Sequence, residues 1–136
     1  VLGGQIEGVQ GAVFLKKRGR DVTIVEEGEN WGAGIPERYF QRIGPWFRRK
    51  NIRVLTGTKA EEITKEGVRV RSADGKVSVL SCDSVMVLMP QVASHAFAES
   101  LKSVIGEVHE IGSALGADNG LLKHALHDGR AVGCRI

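Results

Sequence analysis

A cluster of glycines at the start of the chain has the composition of a loop that binds phosphate through its backbone. The loop precedes a predicted helix, and the first amide N–H groups of a helix have no partner inside it. These groups lie at the positive end of the helix dipole, so they bind an anion readily. The candidate residues of this loop are Gly3, Gly4, Gln5, Ile6, Glu7 and Gly8.

Glu26 is a second residue that could contact a nucleotide. It directly follows the β-branched segment 22–25, which predicts a buried strand. A carboxylate at the end of the second strand of a βαβ unit accepts hydrogen bonds from the ribose hydroxyls of adenosine. It also favours NAD(H) over NADP(H), because a 2′-phosphate would meet a like charge. The alternative is an acidic residue at a strand end that binds nothing.

The segment 5–18 between these two sites is predicted to be a helix. Its apolar residues recur at the spacing of one helix face, and Gly19 follows as a stop signal. Val1 and Leu2 precede the glycine loop as the end of a first strand, so we expect the natural chain to continue upstream. Strand, loop, helix and strand together predict an α/β fold, a Rossmann-like parallel sheet with flanking helices.

The central part of the chain changes from buried strands to alternating ones. Residues 37–50 predict a helix that is interrupted at Gly44 and Pro45, and residues 52–55 predict another parallel strand. Three further segments alternate apolar and polar residues, which indicates a small antiparallel β-meander with a hairpin turn at Asp74–Gly75. These segments are 60–64, 68–71 and 77–80.

The last third of the chain has weaker patterns. The apolar run 84–89 predicts a strand that returns to the parallel sheet. Residues 93–102 predict a weak helix, 107–111 a short strand and 112–120 a loop of small residues. A last helix follows from about Leu121, with its apolar residues on one side.

The glycine loop departs from the usual dinucleotide fingerprint at one position. If Gly3 and Gly8 are the first and third glycines, Gln5 stands where the second belongs, and its β-carbon would crowd the phosphate. A second register, with Gly4, Gly8 and Gly11, places three glycines on one helical face. The sequence leaves both registers open. It also leaves open a fold whose glycines serve only chain reversal and helix packing.

Composition and charge limit the other function classes. With 42% hydrophobic and 26% charged residues, the chain resembles a soluble globular domain. No apolar run is long enough for a membrane span and no leader is visible, so we expect a cytoplasmic protein without a membrane partner. The net charge of +3 gathers at predicted helix ends without interleaved aromatic residues, so no nucleic-acid partner is expected.

The sequence offers no further chemical centre. Cys82 and Cys134 match no metal or redox spacing and predict two reduced, partly buried thiols. His124 and His127 lack a third ligand, so no metal site is predicted. No catalytic acid or base is predicted either.

Several motifs follow one another in an order typical of one enzyme family. The glycine loop and the sequence Val-Thr-Ile-Val-Glu are followed by 54–58 (Val-Leu-Thr-Gly-Thr), the Asp74–Gly75 hairpin, 82–88 (Cys-Asp-Ser-Val-Met-Val-Leu), 108–112 and 125–129 (Ala-Leu-His-Asp-Gly). In this order the chain resembles the C-terminal pyridine-nucleotide and FAD-type region of the NADH:flavin oxidoreductase family. This family includes relatives of 2,4-dienoyl-CoA reductase, 2-enoate reductase and trimethylamine dehydrogenase.

The resemblance implies a domain arrangement and a set of cofactors. In that family an NAD(P) domain is inserted into an FAD-type domain, and a flavin barrel with an iron–sulfur cluster precedes both. Residues 1–106 would then be the NAD(P)-binding-type Rossmann domain, and 107–136 the returning C-terminal segment of the FAD-type domain. The implied function is to position the nicotinamide of NAD(H) for hydride transfer to a flavin. The FAD, other flavin and iron–sulfur groups would belong to a larger parent flavoprotein, and this chain alone would be inactive.

Three segments depart from the pattern of the resembled family. Gln5 replaces a glycine, Ser113 stands in the place of an acidic residue, and residues 89–95 replace a glycine and a Pro-Asn pair. The resemblance puts all three beside a nucleotide, so their clustering indicates that both nucleotide sites have diverged. The alternative function is therefore a degenerate nucleotide-domain fold that acts as a structural or interdomain interaction module.

Overall fold

A computed structural model of the chain describes residues 1–89, 92–116 and 122–136. The chain divides into two compact units, Val1–Met89 and Pro90–Ile136. The glycine loop and Glu26 both lie in the first unit. Compactness does not identify the domain from which a segment descends, so the assignment of 1–106 and 107–136 to two domain types stays a prediction.

A parallel sheet forms the centre of the first unit. Strand β1 (Thr23–Val25) pairs in parallel with β2 (Arg53–Leu55). Leu2 forms a parallel bridge to Val25 on one side and to Val87 on the other. The N–H of Leu2 donates to the carbonyl of Met86 at 2.8 Å, and the N–H of Leu88 donates to the carbonyl of Leu2 at 2.7 Å. The predicted return of the apolar run 84–89 to this sheet is confirmed, and so is the predicted α/β class.

Two helices cover this sheet. Helix α1 spans Ile6–Lys17 and α2 spans Glu37–Arg49. Burial of one face of each helix against the strands removes apolar surface from water, which is the main favourable term in folding. The buried residues of this core are Val9, Ala12, Val22, Ile24, Ile43, Phe47 and Ile52.

Helix α2 continues through the point where the sequence predicts an interruption. Pro45 lies inside the helix, although it lacks the N–H that would bond to the carbonyl four residues earlier and costs about 3 kcal/mol in a helix interior. Ile43 and Phe47 flank it and are 7% and 2% exposed. The predicted interruption is wrong because burial of these two side chains holds both halves of the helix on the sheet.

The predicted antiparallel meander is confirmed. Strands β3 (Thr58–Thr64), β4 (Gly67–Ser72) and β5 (Val77–Leu80) pair in chain order. Val68 and Val70 of β4 form a second buried cluster with Leu2 and Val25. The meander therefore packs against the parallel sheet through the alternate residues of one strand.

The hairpin turn between β4 and β5 lies at the predicted Asp74–Gly75. The hydroxyl of Ser72 donates to Oδ1 of Asp74 at 2.7 Å, and the N–H of Lys76 donates to the same oxygen at 3.0 Å. Gly75 has a φ of +85°, which a glycine adopts without strain.

The second unit contains two helices and one 3₁₀ turn within its described part. Helix α3 spans Ala96–Lys102, the 3₁₀ turn Gly112–Leu115, and helix α4 Leu122–Gly133. The predicted strand 107–111 is wrong, because these residues form no ladder with any described segment. Alternation of apolar and polar residues allows a strand, but a strand also needs a backbone partner. Residues 117–121 of the predicted loop and helix start lie outside the described residues.

Several surface features differ from expectation. Cys82 and Cys134 are free and both exposed, so their predicted partial burial is wrong. The apolar side of α4 is also open, with Leu122 and Leu126 exposed. No helix in the described ranges is both long and apolar enough to cross a membrane.

A substitution at Gly8 tests the packing of α1. A β-carbon there would overlap the carbonyl oxygen of Gly3, so we expect Gly8→Ala to lower the free energy of unfolding by about 1–3 kcal/mol. The matched control is Gly129→Ala, because Gly129 lies in helix α4 and a β-carbon on it would lie 3.9 Å from Cδ1 of Ile111, in ordinary van der Waals contact. The control should raise stability by roughly 0.5–1 kcal/mol. Urea denaturation measures both, and equal effects of the two variants would contradict the packing argument.

The hairpin turn makes a prediction about pH. The hydroxyl of Ser72 and then the amide of Lys76 hold the pKa of Asp74 below its usual value by bonding to the ionised form. This stabilisation is present above the carboxyl's unfolded pKa and is lost as the pH falls through the folded pKa. We expect Ser72→Ala to move the pKa of Asp74 back up, as measured by carboxyl-carbon NMR titration. Ser78→Ala, on β5, should leave that pKa where it is.

Candidate functional site

The glycine loop turns between the end of the first strand and helix α1. Gly3 has a φ of +98°, and a β-carbon on it would overlap the carbonyl oxygen of Leu88. A β-carbon on Gly8 would overlap the carbonyl oxygen of Gly3. One glycine therefore makes the tight turn and the other allows close packing of the helix, which are the roles of the first and third fingerprint glycines.

The alternative register through Gly11 has less support in this geometry. A β-carbon on Gly11 would meet only the side-chain ends of Leu88 and Met86, at 2.8 and 2.9 Å. Flexible side-chain ends can move aside, whereas the backbone carbonyls next to Gly3 and Gly8 cannot. The geometry thus favours the register that puts Gln5 at the second fingerprint position.

Gln5 is the N-cap residue of α1. Its φ of −75° and ψ of −174° are extended values that any residue adopts, so glutamine causes no backbone strain here. Its side chain is half-buried and makes no capping hydrogen bond.

The first amides of α1 differ in whether they have a partner. The N–H of Ile6 donates to the carbonyl of Ala33 at 2.9 Å. The N–H groups of Gln5, Glu7 and Gly8 have no hydrogen-bond partner among the residues described. Gly8 is buried, and a buried N–H without a partner is rare in proteins. The start of α1 therefore offers three donors to a ligand.

Glu26 lies beside this loop, at the end of β1. Its Oε2 accepts a hydrogen bond from the N–H of Gly4 at 2.6 Å, and its Oε1 accepts one from the N–H of Gly28 at 2.8 Å. A β-carbon on Gly4 would lie 2.9 Å from the Cβ of Glu26, so glycine at this position makes room for the carboxylate. Each carboxylate oxygen retains acceptor capacity beyond the single bond that it makes.

Residues 28–35 cross over the start of α1, and we call this segment the strap. The N–H of Gly32 donates to the carbonyl of Gly4 at 2.6 Å, and the carbonyl of Ala33 accepts from Ile6. The ring of Trp31 stacks on the ring of Phe47, with centroids 5.0 Å apart and planes within 5°. The strap is thus bonded to the glycine loop and anchored by an aromatic residue to α2.

The structure brings the sequence-predicted site residues together. The glycine loop and Glu26 are joined by the bond between Gly4 and the carboxylate. Sequence reasoning missed Gly28, Gly32 and Ala33, whose backbone groups bond to these residues. The glycines at positions 28, 32 and 34 favour a loop, but no signal in the sequence indicates which residues that loop contacts.

In the second unit, the predicted departure Ser113 lies in a short turn next to Asp128. The N–H of Gly112 lies 3.4 Å from Oδ2 of Asp128, at the start of the 3₁₀ turn that contains Ser113. Gly112 has a φ of +62°. Of the segment 89–95 that departs from the family pattern, Pro90 and Gln91 lie outside the described residues.

Comparison with known proteins gives a family match and several relatives. Residues 1–80 match a protein family described as pyridine nucleotide-disulphide oxidoreductase. Bilirubin reductase from Mediterraneibacter gnavus is 33% identical over 87 residues, which cover 64% of this chain and 13% of that protein. Dihydrolipoyl dehydrogenase from Mycobacterium leprae is 33% identical over 89 residues, which cover 63% of this chain and 19% of that protein.

One solved structure is similar to this chain over nearly its whole length. A 2-naphthoyl-CoA reductase in complex with 2-naphthoyl-CoA has a TM-score of 0.74 and 26% identity, covering 99% of this chain and 20% of that protein. The chain thus spans a fifth or less of the length of these three proteins.

The position of Glu26 predicts a specific loss of stability. Glu26→Ala removes the acceptor of two charge-assisted hydrogen bonds, each worth about 1.5–3 kcal/mol, so we expect a loss of at least roughly 2 kcal/mol in the free energy of unfolding. Glu27→Ala is the matched control, because the exposed Glu27 only pairs with Lys59 at 3.2 Å. Such a pair contributes about 0–1 kcal/mol. Denaturant titration compares the variants, and a control as destabilised as Glu26→Ala would refute this assignment.

Proposed function

Since the chain belongs to the pyridine nucleotide-disulphide oxidoreductase family, we propose that its first unit binds NAD(H) as part of a flavin-dependent oxidoreductase. In this proposal the unit positions the nicotinamide for hydride transfer to a flavin held mostly by other parts of a longer protein. The similarity to bilirubin reductase and to a 2-naphthoyl-CoA reductase supports the finer assignment to the NADH:flavin oxidoreductases.

The observation that carries the proposal is the group of free amides at the start of α1. The N–H groups of Gln5, Glu7 and Gly8 lack protein partners within the described chain and lie at the positive end of the helix. A diphosphate accepts hydrogen bonds from such groups and completes the bonding of the buried Gly8. These residues would hold the pyrophosphate, while Gly3 and Gly4 shape the loop.

Glu26 would hold the ribose of the adenosine half. Its carboxylate is fixed by the amides of Gly4 and Gly28 and is half-buried, so its position is determined before a ligand binds. A carboxylate that is already held in place lowers the entropic cost of binding. The negative charge would repel a 2′-phosphate and so favour NAD(H) over NADP(H).

The chain's contribution to the reaction would be binding and orientation. NADH, when bound, supplies the hydride, and the flavin accepts it, so the protein need not provide a catalytic acid or base. The residues of the loop would fix the pyrophosphate, and Glu26 would fix the adenosine. Together these contacts would determine where the nicotinamide half of the dinucleotide can extend.

A second candidate function has support from the strap. The amides of Gly4 and Ile6 are already bonded, to Glu26 and to Ala33 respectively. A loop that satisfies its own donors in this way would also suit a structural or interdomain interaction module without a nucleotide site.

Calorimetric titration of the 136-residue chain with NADH, NADPH and ADP separates the two functions. We expect saturable binding of NADH and ADP and weaker binding of NADPH. Glu26→Gln should lower the preference for NADH over NADPH by about fivefold, the factor that corresponds to roughly 1 kcal/mol, the repulsion of two unit charges about 4 Å apart in water. A general loss of stability would lower the affinities for NADH and NADPH by the same factor, so it would leave their ratio unchanged.

Glu27→Gln provides the control for this titration. It removes the same charge from the neighbouring position, where the carboxylate faces Lys59 instead of the glycine loop. The preference for NADH should therefore persist in Glu27→Gln. Absence of a binding signal for all three nucleotides would reject the NAD(H) site and favour the interaction module.

A further inference from the structure

We propose that the strap, residues 28–35, is a gate that competes with phosphate for the N–H of Ile6, so that its opening sets the affinity of the nucleotide site. This inference rests on the proposed function and concerns how the same site is regulated. The first amides of α1 differ in whether they have a hydrogen-bond partner. Among the first amides of α1, that of Ile6 alone is bonded to the strap, and the amides of Gln5 and Glu7 on either side of it have no partner in the described chain.

The strap carbonyl occupies the place of an anion. The carbonyl oxygen of Ala33 carries a partial negative charge and lies 2.9 Å from the nitrogen of Ile6, at the positive end of α1. A phosphate oxygen bears more charge and makes a stronger hydrogen bond with the same donor. The two acceptors cannot both take this single N–H in good geometry. Closing the strap therefore removes the middle donor of three consecutive ones from a ligand.

The bonds that hold the strap closed are few. The N–H of Gly32 donates to the carbonyl of Gly4 at 2.6 Å, and Ile6 donates to Ala33. The bond to Gly4 joins two buried glycines, whereas the bond between Ile6 and Ala33 joins a half-buried residue to an exposed one. Water can replace this second bond when the strap opens, so its net stabilisation is small. The closed state is thus stable enough to be populated and weak enough to yield to a ligand.

The glycines of the strap permit it to move as a short segment. Gly32 and Gly34 have φ values of +86° and +81°, which only glycine adopts and leaves freely, and the exposed Ala33 lies between them. The N-terminal end of the strap is fixed, because the N–H of Gly28 bonds to Glu26 and its carbonyl accepts from Gly57 at 2.8 Å. The opening can therefore release Ala33 without moving Glu26.

Trp31 holds the strap in its closed position. Its ring stacks on Phe47, which is 2% exposed, and also contacts Phe40 at a centroid distance of 4.8 Å. Stacking against a buried ring limits the motion of the residues that follow Trp31 in the strap. The strength of this stacking thus determines the fraction of molecules in which the N–H of Ile6 is free to bind phosphate. The apparent dissociation constant scales inversely with that fraction.

The test measures ADP affinity and amide exchange in the 136-residue chain. We expect Trp31→Ala to bind ADP about three- to tenfold more tightly, because more molecules have an open strap. Without ADP, the amides of Ile6 and Gly32 should exchange faster than in the wild type, and with ADP the amide of Ile6 should again be protected. Calorimetry gives the affinity, and NMR hydrogen exchange gives the amide rates.

Two further variants keep the test decisive. Gly32→Ala puts a β-carbon at a φ of +86° and against the ring of Phe40, so it strains the closed strap without removing an aromatic side chain. It should reproduce the effects of Trp31→Ala even if that variant folds poorly. Tyr39→Ala is the control, because Tyr39 lies on α2 near the strap, is exposed, and should leave both readouts unchanged.

The possible failures are distinguishable. If the wild type binds ADP but the two strap variants, folded as judged by thermal unfolding, bind it equally or more weakly, the gate is refuted and the nucleotide site stands. If the wild type and both variants bind no ADP, the proposed function fails, and the gate fails with it.

Discussion

The approach of helix α1 to the turn before it leaves no space for a side chain, since Gly8 packs on the carbonyl of Gly3. Gly3 in turn lies against the carbonyl of Leu88, in the segment that pairs with Leu2. Three backbone segments therefore meet in direct contact. The first amides of α1 are brought to the edge of the sheet by this contact, beside the residue that follows β1. A bulkier residue at either glycine would separate the helix from the strand and the donors from Glu26.

The electrostatics of the site follow from that close packing. The positive end of α1 and the carboxylate of Glu26 lie side by side, and the amide of Gly4 connects them at 2.6 Å. The carboxylate is stabilised by two backbone donors, so a negative charge is held next to a surface that attracts anions. In the proposed NAD(H) site, this combination would favour a sugar with free hydroxyls over one that carries a phosphate. The strap completes the arrangement by bonding to Gly4 and Ile6.

The two units differ in how many apolar side chains each of them buries. The first has two buried clusters, one between the helices and the parallel sheet and one between the sheet and the meander. In the second, neither α3 nor the described part of α4 contains a buried residue, and large apolar side chains such as Phe97 and Leu126 are exposed. Hydrophobic burial is the main source of stability in folded chains, so it supports the first unit far more than the second.

Local pattern by itself determined most of the first unit. The helical spacing after the glycine loop, the β-branched run before Glu26 and the alternation on either side of Asp74 each depend on residues close in sequence, and each element formed where it was predicted. The tertiary structure decided the rest, because it depends on partners distant in sequence. Burial of Phe47 holds α2 together across Pro45, and residues 107–111 have no backbone partner in the described chain. The bond between the strap and Ile6 depends on the packing of Trp31 against α2. The composition of a loop shows that the chain turns, but which amide its carbonyl meets depends on where the core places it.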